Sequence, residues 1–154
     1  MKSLGFLATI LLATLPASEP APYPTGFRNW VHVKSALVTA AHPAAQTEGG
    51  IHHVYANPKA AEAYPSGQFP NGAVIVYELL QTTENGGVIS EGGRRRVDVM
   101  VKDSERYKAT GGWGFHRFMG SEQTGDAVAD AGKTMCFDCH ATAAAHGFVF
   151  SRIR

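Results

Sequence analysis

Cysteine is almost absent from this 154-residue chain: there are two, Cys136 and Cys139. A bridge between neighbours this close would close too small a loop to act as a staple, so a disulfide-framed fold is excluded. No second CxxC accompanies the pair, as a structural zinc site would require. An excess of charge of one sign is missing too. Fourteen Lys and Arg stand against 13 Asp and Glu, for a formal net charge of +1. A nucleic-acid binder needs a basic excess to neutralise phosphates, and that class is excluded. After Leu15 no apolar run approaches membrane length. Sustained helical periodicity is scarce, which argues against a helical bundle. What is present is enough apolar sequence for one core: 44% hydrophobic and 18% charged residues, at a length suited to one domain.

The N-terminus has the make-up of an export signal. Lys2 precedes the apolar stretch Leu4 to Leu15, Pro16 closes it, and small residues follow at Ala17 and Ser18. The stretch is too short to span a bilayer. The expected organisation is a signal peptide over 1–17, an extended proline-bearing leader over 18–26, and a single domain over 27–154. The mature protein is expected to be periplasmic and free of the membrane.

Strands dominate the remainder. Trp30 to Val33, Ala36 to Val38 and Ile51 to Ala56 are candidates, with Ala40 to Gly50 as a loop between them. Asn57-Pro58 supplies a cap and a first-turn proline for a short helix, Lys59 to Tyr64. The stretch Ala73 to Leu80 is apolar on both faces and is expected to be a central strand. Thr82 to Gly93 reads as a loop or hairpin connection. Val97, Val99 and Val101 alternate with Asp98, Met100 and Lys102 as in a strand with one apolar face. Further strands are expected at Trp113 to Phe118 and Phe148 to Phe150, with a helical stretch near Ala127 to Lys133. The run Arg94-Arg95-Arg96 is expected to be a solvated strand start, with a docking patch for an acidic partner as the minority reading.

Cys136-Phe137-Asp138-Cys139-His140 is a CxxCH motif. Two thiols at this spacing can add to the two vinyl groups on one edge of a haem, and the next residue then falls beneath the ring, where imidazole can bind iron. One covalent haem c is therefore expected, held by Cys136 and Cys139 with His140 as the proximal iron ligand. An isolated disulfide or a metal site is the alternative. Only fourteen residues follow His140 and none is Met, unlike small electron carriers with an N-terminal motif and a downstream methionine ligand. His32, His42, His116 and His146 show no spacing that demands a metal.

A strand-rich chain with a C-terminal CxxCH resembles the cytochrome P-460 and cytochrome c′-beta family. The resemblance rests on Trp30-Val31, Val54 to Pro58, Gly67 to Gly72 leading into the central strand, Val101 to Tyr107, Gly112 to Phe115, the CxxCH, and Val149 to Arg152. It implies an α+β fold: an antiparallel β-sheet packed on a c-type haem, with a few short helices. It also implies an open sixth iron position and a homodimer. One branch oxidises hydroxylamine and carries a lysine cross-linked to the haem; the other binds nitric oxide in an apolar pocket.

Carried onto this chain, the cross-linking lysine falls on Tyr77, a distal arginine on His52 and a distal glutamate on Asp98. A lysine link is thus impossible here, and the distal set becomes polar. Each residue also has a plainer role. Tyr77 fits a core tyrosine as well as a haem-edge residue. His52 and His53 have opposite strand phase, so only one faces the haem, and His52 is the expected one. Asp98 shares its phase with Arg96 and Lys102, as on a solvated face, but also with Met100. The functions expected are redox chemistry on hydroxylamine or nitric oxide, with electrons passing to a soluble cytochrome. Peroxidase-like chemistry using His52, Asp98 and Tyr77, and non-enzymatic nitric-oxide binding, are the alternatives.

Overall fold

The computed structural model describes residues 21–153. The expected signal peptide, and the first part of the leader, lie outside the described residues. Five antiparallel strands form one sheet in sequential order: β1 (Val31–Val38), β2 (Gly50–Ala56), β3 (Val74–Asn85), β4 (Val88–Lys102) and β5 (Trp113–Met119). Three short α-helices accompany them: α1 (Ala45–Glu48), α2 (Pro58–Ala63) and α3 (Asp138–His140). The α+β expectation holds, and no helix among the described residues is long and apolar enough to cross a membrane.

The central position of β3 follows from its two apolar faces. On one side Ile75 joins Val54, Met100, Trp113, Phe115 and Val149, together with Ala60 and Ala63 of α2. On the other, Val76 packs with Phe27, Val97, Val99 and Phe118. Asn57 caps α2 as its sequence predicts, its side chain accepting from the Ala60 amide at 2.9 Å.

Several expected boundaries shift. The two N-terminal strand fragments are one strand, β1, with a bulge at Val33 where the register passes from His32 to Lys34. Thr82 to Gly93 is mostly a long hairpin arm that turns at Gly86-Gly87. The loop Ala40 to Gly50 contains α1, a single turn that needs tertiary support to persist. Phe148 to Phe150 is not a strand. A 3-10 stretch, Ala141–His146, ends at Gly147 (φ 68°), and Phe148 also turns left-handed at φ 68°. A side chain at Gly147 would run into the Gly67 carbonyl, so the chain can pass there only with glycine.

The arginine run is not solvated. Arg94 Nε donates to the fully buried Glu78 at 2.7 Å. Pairing jumps from Leu79–Arg96 to Leu80–Arg94, so Arg95 is the extra residue of a bulge. Arg95 reaches sideways to the carbonyls of Gln46 (3.0 Å) and Gly49. Arg96 is 6% exposed and turns to the opposite face from Arg94. Three consecutive cations thus brace three different places. The sequence pattern could not show this, because the bulge changes the phase within the run.

Candidate functional site

The C-terminal segment packs across one face of the sheet. After a 3-10 turn, Ala129–Ala131, comes a π-helical turn, Lys133–Phe137, and then α3. On this continuous helical path Cys136, Cys139 and His140 lie at i, i+3 and i+4, which places all three on one side. That side opens on a cavity of about 370 Å³ between the segment and the sheet. Both thiols are free; Cys136 is part-buried and Cys139 exposed. Burial pushes the Cys136 thiol up.

His140 is held firmly. Its Nδ1 lies 2.7 Å from the Phe148 carbonyl. A carbonyl only accepts, so Nδ1 carries the proton and Nε2 is left with its lone pair. Phe115 and Phe150 flank the ring at 5.2 and 5.0 Å between centroids. Burial lowers its pKa, which the Phe148 contact partly offsets. The left-handed turn at Phe148 is what aims that carbonyl, so the segment expected as a strand acts as a strap behind the histidine.

The sheet supplies the opposite wall, with Val54, Ile75 and Met100 among apolar residues and His52, Tyr77, Asp98, Arg96 and Arg117 among polar ones; Glu48 joins them from α1. The alternation of β2 puts His52 in the cavity. His53 lies on the other face, between Ser35 (2.6 Å) and Glu91 (2.6 Å). Tyr77 stacks on His52 at 4.7 Å with 28° between the planes. Burial lowers the His52 pKa, so the ring is neutral near pH 7. Its Nδ1 is buried and, among the described residues, has no hydrogen-bond partner.

Tyr77 donates to Glu48 Oε2 at 3.0 Å. Burial, reinforced by the Glu48 charge, raises the phenol pKa well above its ordinary value. Arg96 binds both oxygens of Glu48 (2.7 and 2.6 Å) and Asp98 Oδ2 (2.8 Å), and lies 5.6 Å from the centre of the Tyr77 ring. Arg117 donates to both Asp98 oxygens. Asp98 therefore lines the cavity but is fully engaged by two guanidinium groups.

The three distal candidates are thus brought together, and they share one cavity with the CxxCH residues. Glu48, Arg96 and Arg117 were not foreseen. Arg96 had a signal, since it shares its strand phase with Asp98 and Met100. Glu48 had a fainter one, as the lone carboxylate in a small-residue loop four positions before His52.

A haem fits this donor set. Free thiols and a lone-pair-bearing imidazole stand on one side of the cavity, and His52, Tyr77 and Asp98 line the other beside Val54, Ile75 and Met100. The family model for Cytochrome P460 matches residues 24–151. The chain belongs to the cytochrome P460 family. That membership makes it a haem cytochrome, and the family match runs from just before β1 through the strap behind His140. No curated protein matches the sequence. Among the described residues no group of three or more His, Cys, Asp or Glu is arranged to hold a metal ion. A single imidazole is what a haem iron needs from its proximal side.

Proposed function

We propose that this is an exported, periplasmic cytochrome carrying one haem c, with redox chemistry on hydroxylamine or nitric oxide at an open distal position. Cys136 and Cys139 attach the haem and His140 holds the iron. The observation that carries this reading is the cavity: the CxxCH residues form one wall, and His52, Tyr77 and Asp98 line the other. The haem would supply one-electron transfers and a metal centre for a small ligand.

The chain's own groups then divide the work. His52, neutral and stacked on Tyr77, is the base positioned to accept a proton from an N–H or O–H of the distal molecule. Asp98 orients Arg96 and Arg117 and so fixes the cationic side of the pocket. Val54, Ile75, Met100 and Phe115 exclude water, which strengthens each polar contact. A homodimer passing electrons to a soluble cytochrome completes the proposal. Steady-state oxidation of hydroxylamine with an artificial acceptor tests it. Turnover well above that of free haem is expected; turnover equal to free haem would refute it.

A second reading, peroxidase-like chemistry, draws on one observation: Tyr77 is hydrogen-bonded to a carboxylate and stacked on the distal base. Peroxide-dependent oxidation of a dye, abolished in His52→Ala, would favour it over hydroxylamine oxidation. Reversible nitric-oxide binding without turnover would favour the carrier reading.

A further inference from the structure

The chain has five tyrosines, Tyr23, Tyr55, Tyr64, Tyr77 and Tyr107. In two of them the hydroxyl meets a basic side-chain atom. Tyr107 lies 3.2 Å from His116 Nε2, whose Nδ1 is held by Asp126 at 2.8 Å. Tyr77 donates to Glu48. Tyr64 instead meets the Ser151 hydroxyl, and Tyr23 accepts from Arg94. Of the two phenols with a base, only Tyr77 lines the cavity.

The surroundings of Tyr77 select how it can lose an electron. The Arg96 guanidinium lies 5.6 Å from the ring centre. Removing an electron alone would create a second positive charge beside it in a poorly solvated place, which is strongly unfavourable. Moving the phenolic proton at the same time leaves a neutral radical and removes that repulsion. Glu48 is the acceptor in line, at 3.0 Å. On protonation Glu48 gives up its negative charge, yet Arg96 keeps Asp98 as a counter-ion at 2.8 Å. The Glu48 side chain is also 36% exposed, so the proton can continue to water.

We propose that Tyr77 is a redox-active tyrosine and Glu48 its proton acceptor. In the step, the Tyr77 O–H bond breaks, the proton passes to Glu48 Oε2, and one electron leaves for an oxidant generated in the cavity from hydrogen peroxide. Two such events supply the two electrons, and the two protons released through Glu48 balance them, so that one hydrogen peroxide leaves as two waters; the haem would relay the electrons. The inference rests on the haem reading above, and it adds Glu48 to the distal set.

The test is to mix the haem-loaded protein with hydrogen peroxide, freeze it within milliseconds, and record electron paramagnetic resonance spectra with ordinary and ring-deuterated tyrosine. A radical signal that narrows on deuteration is expected. It should vanish in Tyr77→Phe and fall at least about tenfold in Glu48→Gln at equal haem absorbance, a lower bound for losing a positioned base. A deuteration-insensitive signal, a signal undiminished in Glu48→Gln, or one that persists in Tyr77→Phe through Tyr107 would overturn the proposal. Should Glu48→Gln fail to fold, the rate of radical formation by the unmodified protein in heavy water decides: a rate equal to that in ordinary water refutes proton transfer. A wild-type protein without haem absorbance would overturn the haem reading itself. A loaded protein without a tyrosyl signal would overturn this inference alone.

Discussion

Tyr77 and Glu78 are neighbours on β3 and face opposite sides of the sheet. Glu78 is fully buried, and its two oxygens receive three hydrogen bonds: two from Arg28 at 2.8 and 2.9 Å and one from Arg94 at 2.7 Å. Nothing is left over, and Val76, Val97 and Phe118 pack on the same side. On the Tyr77 side the polar groups also bind one another, but among the described residues His52 Nδ1 has no partner. On the Glu78 face the buried charge is neutralised by two guanidinium groups. The Tyr77 face keeps an open volume lined by polar and apolar side chains, which a ligand site needs.

The comparison can be broken at several points. The largest effect is expected from Cys136→Ala with Cys139→Ala. If the Tyr77 side is the haem site, covalent haem should be lost completely, as read by intact mass. Retention of the haem mass would disconnect the motif from the cavity.

Next comes the closed face. Arg28→Met with Arg94→Met strips Glu78 of both partners and leaves a buried uncompensated carboxylate. A loss of about 3–5 kcal/mol in urea unfolding is expected, with the haem absorption of the folded fraction unchanged. A loss below about 1 kcal/mol would mean that Glu78 does not stabilise the fold through these pairs.

A smaller effect separates the two neighbouring histidines. His52→Ala should change the affinity for a distal ligand such as nitric oxide severalfold, on the scale of one hydrogen bond of about 1 kcal/mol. His53→Ala, on the other face, should leave it unaltered. Equal effects from both would place neither at the ligand.

The smallest effect is a slope with pH. Burial lowers the His52 pKa in the folded chain below its ordinary 6.5. The unfolded chain therefore binds more protons than the folded one as pH falls below that value, so stability declines on acidification. The decline spans from about 6.5 down to the depressed folded value. His52→Asn should flatten the acid limb of stability against pH, measured by urea unfolding at steps between pH 7.5 and 5. An unchanged limb would mean that His52 is not held neutral.

Much of this contrast was legible in the chain. Two-sided apolarity marked β3 as central, and strand alternation separated His52 from His53. The Asn57-Pro58 pair marked the start of α2. Other parts escaped for identifiable reasons. Glu48 reaches Tyr77 through α1, a four-residue turn too short to leave a periodic trace, and it is held there by Arg96 and by the Arg95 contacts with the preceding carbonyls. The triple-arginine run looked like a solvated charge block because a bulge was invisible, and the bulge sends Arg94 and Arg96 to opposite faces. Phe148 to Phe150 has the composition of a strand, yet a left-handed residue and a tight passage at Gly67 make it a strap.

By itself the sequence determined the fold class and the spacing of the CxxCH residues. CxxCH is a local code whose meaning depends on spacing along the chain, and binary patterning settles how a sheet is layered. Which side chains share a cavity was decided only by the tertiary structure. Glu48, Tyr77, Asp98 and His140 lie far apart in sequence, and bulges and single turns set their final directions. Those features arise where non-local contacts override short-range preference, so no window of sequence contains them.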